Sequence, residues 1–142
     1  MQERFITQDF ASPAYCKALQ NAGIYHHCNF TWKKFDDQNF ELWSESFDPD
    51  DYYKDGNRLL SLCAEPITVP AFSLKDLERC VPGDYVIYRS SNTYVLSCEI
   101  MYEIPKMRSD RLPDVFAMAV IELVNRKKYP IDYFNKKLVE IH

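Results

Sequence analysis

A chain of 142 residues is long enough to bury a hydrophobic core without help from a metal or a disulfide. Its hydrophobic share of 46% and charged share of 27% are those of a folded globular protein and exclude an intrinsically disordered one. With a net charge of −4, the sequence also lacks the basic stripe of nucleic-acid-binding proteins, so we expect no nucleic-acid partner. We predict a single α+β domain over residues 1–142.

Hydropathy and cysteine usage indicate the compartment. No apolar run approaches the ~18 residues of a membrane span, and the start of the chain lacks the apolar stretch of a secretory signal. We therefore expect a cytoplasmic protein with no membrane partner. The five cysteines show no CxxC or Cys/His metal spacing, so we expect reduced thiols and no bound cofactor. They are Cys16, Cys28, Cys63, Cys80 and Cys98.

The first predicted helix starts at Ser12-Pro13, an N-cap followed by a proline at the first helical position. It ends at Gly23, a residue suited to the left-handed conformation after a helix. Two apolar–polar alternations then predict a hairpin with a turn over residues 36–39. The side chains expected on one face of each strand are Cys28, Phe30 and Trp32, then Phe40 and Leu42 with Ser44.

Residues 46–58 are polar and acidic, and we predict a surface loop there. Residues 59–64 have the composition of a short strand, and Pro66 and Pro70 then interrupt the pattern. Ser73 begins a short helix, because Asp76 three residues later approximates a capping box. The apolar Phe72 before this N-cap is placed to pack against Leu77.

The clearest β signal is a hairpin over residues 84–103, with Ser90-Ser91-Asn92 as its turn. The clearest helix covers residues 113–125, with the basic residues 126–128 after its end. We expect it to be central to the core, because its apolar residues form a continuous stripe: Val115, Phe116, Ala119, Val120, Leu123 and Val124. A last helix begins near Pro130 and packs on the domain or on a partner. Two hairpins interrupted by helices predict an α+β fold, an antiparallel sheet with helices packed mainly on one face.

Four parts of the chain resemble a known group of proteins. They are the segment Val69-Pro70-Ala71-Phe72-Ser73-Leu74, the short helix ending at Pro82, the hairpin, and the helix over 113–125. These are small uncharacterised proteins of gut Bacteroidales genomes, their prophages and other mobile elements. That family carries Trp where this chain has Phe72, and the acidic residues 46–58 have no counterpart in it. The resemblance implies a fold and a genomic setting, and it implies no mechanism. Independently of the family, Pro70 restricts Val69 to extended backbone, so the segment is also typical of a strand-to-helix junction.

His26-His27-Cys28 is the one local cluster of chemically versatile side chains. On a strand, His26 and Cys28 share a face and could supply a base and a nucleophile, or two metal ligands. The commoner reading is a surface histidine beside a core cysteine, because no third group is placed to orient the pair.

Two sets of carboxylates are candidate sites. The acidic residues of 48–55 suggest a cation loop, but Gly56 falls too late after Asp48 for the calcium-loop pattern, which favours a solvated loop. Glu99 and Glu103 share a strand face, yet acid–base work needs a cleft that the sequence does not indicate. We therefore assign no catalytic, cofactor-binding or metal-binding residue.

We expect a non-enzymatic protein-interaction module of phage or mobile-element origin, which binds a protein partner or a second copy of itself. The high aromatic content of 15% motivates this hypothesis. The alternative is a small enzyme or a ligand or metal binder that uses Cys28 and His26 or the acidic residues 48–55. Nucleic-acid stacking on exposed tyrosines is a third possibility, which the missing cations disfavour. Those tyrosines are Tyr85, Tyr88, Tyr94 and Tyr102.

Overall fold

Helices and strands alternate along the chain in the computed structural model, which describes residues 7–24, 30–35, 39–44, 67–82, 85–98, 106–127 and 129–139. A 3-10 helix precedes four α-helices and six strands in this part of the chain. In order, the elements are the 3-10 helix (Thr7–Asp9), α1 (Pro13–Asn21), β1 (Phe30–Lys34), β2 (Glu41–Ser44), β3 (Ile67–Pro70), α2 (Leu74–Cys80), β4 (Tyr85–Ser90), β5 (Thr93–Cys98), β6 (Met107–Ser109), α3 (Leu112–Asn125) and α4 (Ile131–Val139).

The described strands form two antiparallel three-stranded sheets, with strand orders β2-β1-β3 and β4-β5-β6. The predicted α+β class is therefore confirmed, and so are both hairpins, β1–β2 and β4–β5. The hairpins lie in separate sheets because each gains its own third strand, β3 beside β1 and β6 beside β5.

In the first sheet, Trp32 lies opposite Leu42 on one side and Val69 on the other, and all three are buried in the core. This face is the one that the alternation predicts. The opposite face is covered as well, since Trp43 is 3% exposed and its ring lies 5.7 Å from that of Phe35. A simple in–out alternation therefore understates how deeply this sheet is buried.

β3 lies where Pro66 and Pro70 predict an interruption of the strand pattern. Pro70 is its last residue and lies opposite Thr31 of β1. A proline cannot donate to a ladder, but it is tolerated at the end of an edge strand, and β3 is at the edge of its sheet. The main-chain N–H of Ala71 continues the contact by donating to the carbonyl of Phe30 at 3.1 Å.

The junction into α2 is built as its residues predict. Ser73 is the N-cap, and its hydroxyl oxygen accepts from the main-chain N–H of Asp76 at 3.1 Å. Phe72 and Leu77 are both fully buried in the core, the positions that a hydrophobic staple requires. The junction is also tied to the chain's start, because the N–H of Ala11 donates to the carbonyl of Phe72 at 2.9 Å.

α3 is the central helix, in contact with α1, α2, β5, β6 and the 3-10 helix. Its predicted apolar stripe is buried, with Val124 at the partly buried margin. α4 packs against α2 and buries Phe134 and Leu138 completely, so the last helix belongs to the same core. Asn135 of α4 also donates to the carbonyl of Gly23, whose φ of +97° ends α1 as predicted.

Several expectations concern residues outside the described ranges. These are the strand at 59–64, the acidic segment 46–58, and the Cys28 end of the first hairpin. Among the described helices, none is both long and apolar enough to cross a membrane.

Candidate functional site

The sequence motifs singled out for chemistry do not come together in the described part of the chain. His26, Cys28, Asp48, Glu99 and Glu103 all lie outside it. Within the described ranges, no three or more His, Cys, Asp or Glu side chains are grouped to hold a metal ion.

Two cysteines of the described ranges, Cys16 and Cys80, are buried and form no disulfide, and neither is arranged as a nucleophile. The thiol of Cys16 donates to the carbonyl of Ala11 at 3.4 Å and accepts from the N–H of Phe72 at 3.5 Å. Burial raises the pKa of the Cys80 thiol to about 12, with the carboxylate of Asp76 adding to the shift and Lys137 opposing it. Cys80 stays a thiol at neutral pH, which excludes the thiolate chemistry of a catalytic cysteine.

The most connected polar cluster lies where the chain's first segment meets α3. Asp114 accepts the main-chain N–H of Ser12 at 2.6 Å on one carboxylate oxygen and the Ser12 hydroxyl at 2.5 Å on the other. Arg111 donates to the same hydroxyl oxygen at 2.5 Å and lies 3.7 Å from the carboxylate. Its second terminal nitrogen donates to the carbonyls of Thr7 and Phe10 at 2.7 and 2.9 Å.

This cluster fastens rather than catalyses. The Ser12 hydroxyl oxygen accepts a hydrogen bond from the guanidinium of Arg111. Arginine cannot serve as the base that a serine nucleophile needs, because it stays protonated. Asp114 is 4% exposed, and its negative charge at the start of α3 is stabilised by the helix dipole as well as by its donors. The arrangement fixes residues 7–12 to α3 and diverts Ser12 from capping its own helix.

Two adjoining clefts lie beside this cluster and share Asp9 and Leu74. Their volumes of about 390 and 450 Å³ fall within the range of small-molecule pockets. Their described lining mixes carboxylates with cations and contains neither cysteine nor histidine. The lining residues are Asp9, Phe10, Ser73, Leu74, Lys75 and Glu78 for the first, and Gln8, Asp9, Leu74, Tyr94, Asp110, Arg111 and Leu112 for the second.

A different surface stands out on the second sheet, at its outermost strand. β4 is an edge strand, and its contacts with other elements are dominated by β5 alone. Three large hydrophobic side chains are exposed in the described part of the chain, and two of them, Val86 at 45% and Tyr88 at 40%, belong to β4. The third is Ile67, at the start of the edge strand β3.

The two faces of β4 differ. Tyr85 and Ile87 are partly buried against the core, and the ring of Tyr85 meets Phe116 edge-on at 5.4 Å. Burial, and then the carboxylate of Glu78, raises the pKa of Tyr85. Val86 and Tyr88 point to the other face, since side chains alternate along a strand. α3 packs mainly on β5 and β6, and it reaches β4 through the contact of Phe116 with Tyr85.

The register of the hairpin decides which main-chain groups of β4 point away from β5. Ser90 lies opposite Thr93 across a two-residue turn, and such a turn closes with a hydrogen-bonded pair. Hydrogen-bonded and non-hydrogen-bonded pairs alternate along an antiparallel ladder. The N–H and C=O groups of Tyr85, Ile87 and Arg89 therefore point away from β5, toward the open edge.

Cations lie beside two tyrosine rings of this sheet. Lys106 lies 5.9 Å from the ring centre of Tyr88 and donates to its hydroxyl at 3.4 Å. Arg89 lies 5.3 Å from the ring of Tyr94, directly opposite it in the ladder. Residues 85–98 and 106–109 contain these two cations and Arg108 but no carboxylate, although the whole chain is acidic. The described sheet is thus locally basic.

The tyrosines proposed as a stacking platform are not coplanar neighbours. Tyr85 and Tyr94 belong to the core-facing side, where both pack on the hydrophobic core. Tyr88 lies on the other face, and Tyr102 is outside the described residues. Of the three described tyrosines of this sheet, only Tyr88 is exposed, so they do not form a row of stacking partners on one face.

Sequence reasoning found the hairpin but not its open edge. Strand order depends on which strands β5 and β1 recruit, and no local pattern encodes that choice. A usable signal does exist in composition: β3 carries a proline, whereas residues 85–90 contain neither proline nor lysine.

Comparison of the chain with family models, with curated proteins and with solved structures finds no match.

Proposed function

We propose that the chain is a non-enzymatic protein-interaction module, and that a partner binds by adding an extended segment to the open edge of β4. The observation that carries the proposal is an edge that no described strand covers: three residues direct N–H and C=O groups outward beside the exposed Val86 and Tyr88. Main-chain pairing supplies affinity in such complexes, and the alternating side chains supply specificity.

Edge strands invite pairing with other chains, and proteins that do not use them protect them. The usual devices are lysine, proline, a bulge, a very short strand, or a helix or loop that covers the edge. Among the described residues, none outside the sheet hydrogen-bonds to the main chain of Tyr85, Ile87 or Arg89. β6, at the other edge of the same sheet, is only three residues long. β4 has six residues and a regular ladder, and its single charged side chain is Arg89. An edge kept long, regular and apolar on one face is typical of a binding edge.

The setting of this function is part of the proposal. The resemblance of residues 69–82, of the hairpin and of α3 to proteins of prophages and mobile elements supports an origin in such an element. A cytoplasmic location is supported by the buried thiols of Cys16 and Cys80, which form no disulfide, since reduced cysteines are typical of that compartment. The small-enzyme alternative, built on His26 and Cys28 or on residues 48–55, stays a prediction.

The proposal is tested with a library of randomised peptides displayed for selection on the immobilised full-length chain. We expect selected peptides to alternate apolar and polar residues, because only one of their faces meets Val86 and Tyr88. Ile87→Pro removes an outward N–H and leaves the β4–β5 bonds in place. It should weaken binding of the selected peptides by about tenfold or more, the effect of losing about 1.4 kcal/mol.

The matched control is Ile87→Val, which keeps the N–H and a β-branched side chain and should bind the same peptides within about threefold of the wild-type chain. Circular dichroism and thermal melting establish that both variants are folded. The proposal is wrong if no peptide is enriched, or if the enriched peptides bind the proline variant as tightly as the wild-type chain.

A further inference from the structure

We infer that the segment received by β4 is the β4 strand of a second copy of this chain, paired antiparallel about a two-fold axis at Ile87. The inference rests on the proposed function and names its partner. It follows from the sequence of β4 being complementary to itself in one register, which the geometry of the open edge selects.

Hydrogen bonding restricts the registers. In an antiparallel pair, residues that exchange hydrogen bonds must both direct their main-chain groups at the partner. On β4 these residues are Tyr85, Ile87 and Arg89. Centring the pairing on Ile87 places Ile87 opposite its own copy and Tyr85 opposite Arg89 on both sides. This register forms three pairs that each exchange two main-chain hydrogen bonds, and it leaves no outward group of the strand unpaired.

The side chains fit this register on both faces. On the outer face, Val86 of one copy lies opposite Tyr88 of the other, an aromatic–β-branched pair of the kind that stabilises sheets. Both side chains are exposed in the single chain, at 45% and 40%, and each pair would cover them. On the other face, Arg89 lies opposite Tyr85 of the second copy, next to the Tyr94 ring that it already contacts at 5.3 Å.

Registers centred on Val86 or Tyr88 form only two such hydrogen-bonded pairs within β4, and those centred on Tyr85 or Arg89 form only one. Centring the pairing on Arg89 would set two guanidinium groups directly opposite each other, and like charges opposite each other destabilise a sheet. In the register centred on Ile87, the cations of the outer strands lie far apart. Strands are spaced about 4.8 Å apart, so the β6 strands of the two copies, which carry Arg108, lie roughly 24 Å apart. That separation is well beyond the Debye length of about 8 Å.

The pairing also ends with two copies. It joins the two three-stranded sheets into one sheet whose outer edges are the β6 strands, each only three residues long. Such short edges resist further pairing. Because each copy contributes a single strand, the interface is small compared with the roughly 1,600 Å² of standard complexes, and we expect weak, concentration-dependent dimers.

Cysteine cross-linking under mild air oxidation tests the register in the full-length chain. In the inferred pairing, the Cα atoms of the two copies of position 87 lie about 5.5 Å apart, within the range that a disulfide bridges. Ile87→Cys should therefore form a dimer linked through position 87, identified by mass spectrometry of the linked peptide. Arg89→Cys should form no such link, because its two copies lie about 13 Å apart along the strands.

Sedimentation equilibrium of the unmodified chain, from about 10 µM to 1 mM, supplies a measurement that does not depend on any variant. We expect the mass to rise from monomer toward dimer. A monomer at every concentration, or a cross-link through position 89 in place of position 87, overturns the inference. If the chain is monomeric but selected peptides still lose affinity for Ile87→Pro, the second copy is wrong and the binding edge stands. If selection also fails, both proposals are wrong.

Discussion

The carboxylate of Asp114 is nearly inaccessible, yet it lies among donors from two distant parts of the chain. Its bonds to Ser12 span 102 residues of sequence and fix the first segment to the central helix, and Arg111, three residues before it, adds an ion pair. A buried charge is tolerated only when it is paired and hydrogen-bonded, and this one is both. The cluster therefore contributes to the fold at a point where the helix pattern alone predicts only a favourable dipole contact.

Asp114→Asn should lower the free energy of unfolding by about 2 kcal/mol, because an amide loses the charge that Arg111 and the Ser12 donors stabilise. Asp132→Asn is the matched control, since Asp132 lies in the first turn of α4 but is exposed. It should cost well under about 1 kcal/mol. Urea unfolding measures both, and equal costs for the two variants would contradict the role given to Asp114.

At the scale of elements, the β4–β5 hairpin has one strained residue at its tip. Ser91 has a φ of 57°, in the left-handed region that non-glycine residues adopt at a cost. The strain arises because two-residue hairpin turns need a positive φ at their first central position to match the strand twist. Serine has no special aptitude for that conformation, so the hairpin is held by its ladder rather than by its turn.

Ser91→Gly should therefore stabilise the chain by roughly 0.5–1 kcal/mol, the usual cost of a side chain at positive φ offset by glycine's greater freedom in the unfolded state. Asn92→Gly serves as the comparison, since Asn92 is not among the positive-φ residues and gains nothing from glycine. Thermal melting distinguishes the two variants. A lower melting temperature for Ser91→Gly than for the wild-type chain would show that the turn is not strained as described.

Elements with strong local signals were predictable from the sequence, and short recruited strands were not. The stripe of α3, the cap at Ser73 and a turn over Ser90-Ser91-Asn92 are predicted from the local sequence, and the structure has all three, with the turn closing between Ser90 and Thr93. β3 and β6 have four and three residues and form because an existing hairpin offers them a free edge. Pairing of that kind is a tertiary contact, and a segment of so few residues shows no periodicity that predicts it.

For the whole molecule, one hydrophobic core links both sheets to the helices, with members from β1, β5, α1, α2, α3 and α4. The sequence predicts which helix is central, but not that the hairpins are divided between two sheets. That division creates the open edge of β4, so the candidate site was beyond sequence reasoning for the same reason. The chemical motifs that the sequence did offer, around Cys28 and residues 48–55, lie outside the described residues.

We propose that β4 keeps an open edge that accepts another strand. Hydrogen exchange of the β4 amides by NMR, in dilute protein near 20 µM and again near 1 mM, tests it most directly. In dilute protein we expect the N–H of Ile87 to exchange at least about tenfold faster than those of Val86 and Tyr88, which bond to β5. At the higher concentration it should become protected. Protection of Ile87 equal to that of its two neighbours in dilute protein would contradict the account, because the edge would already be closed.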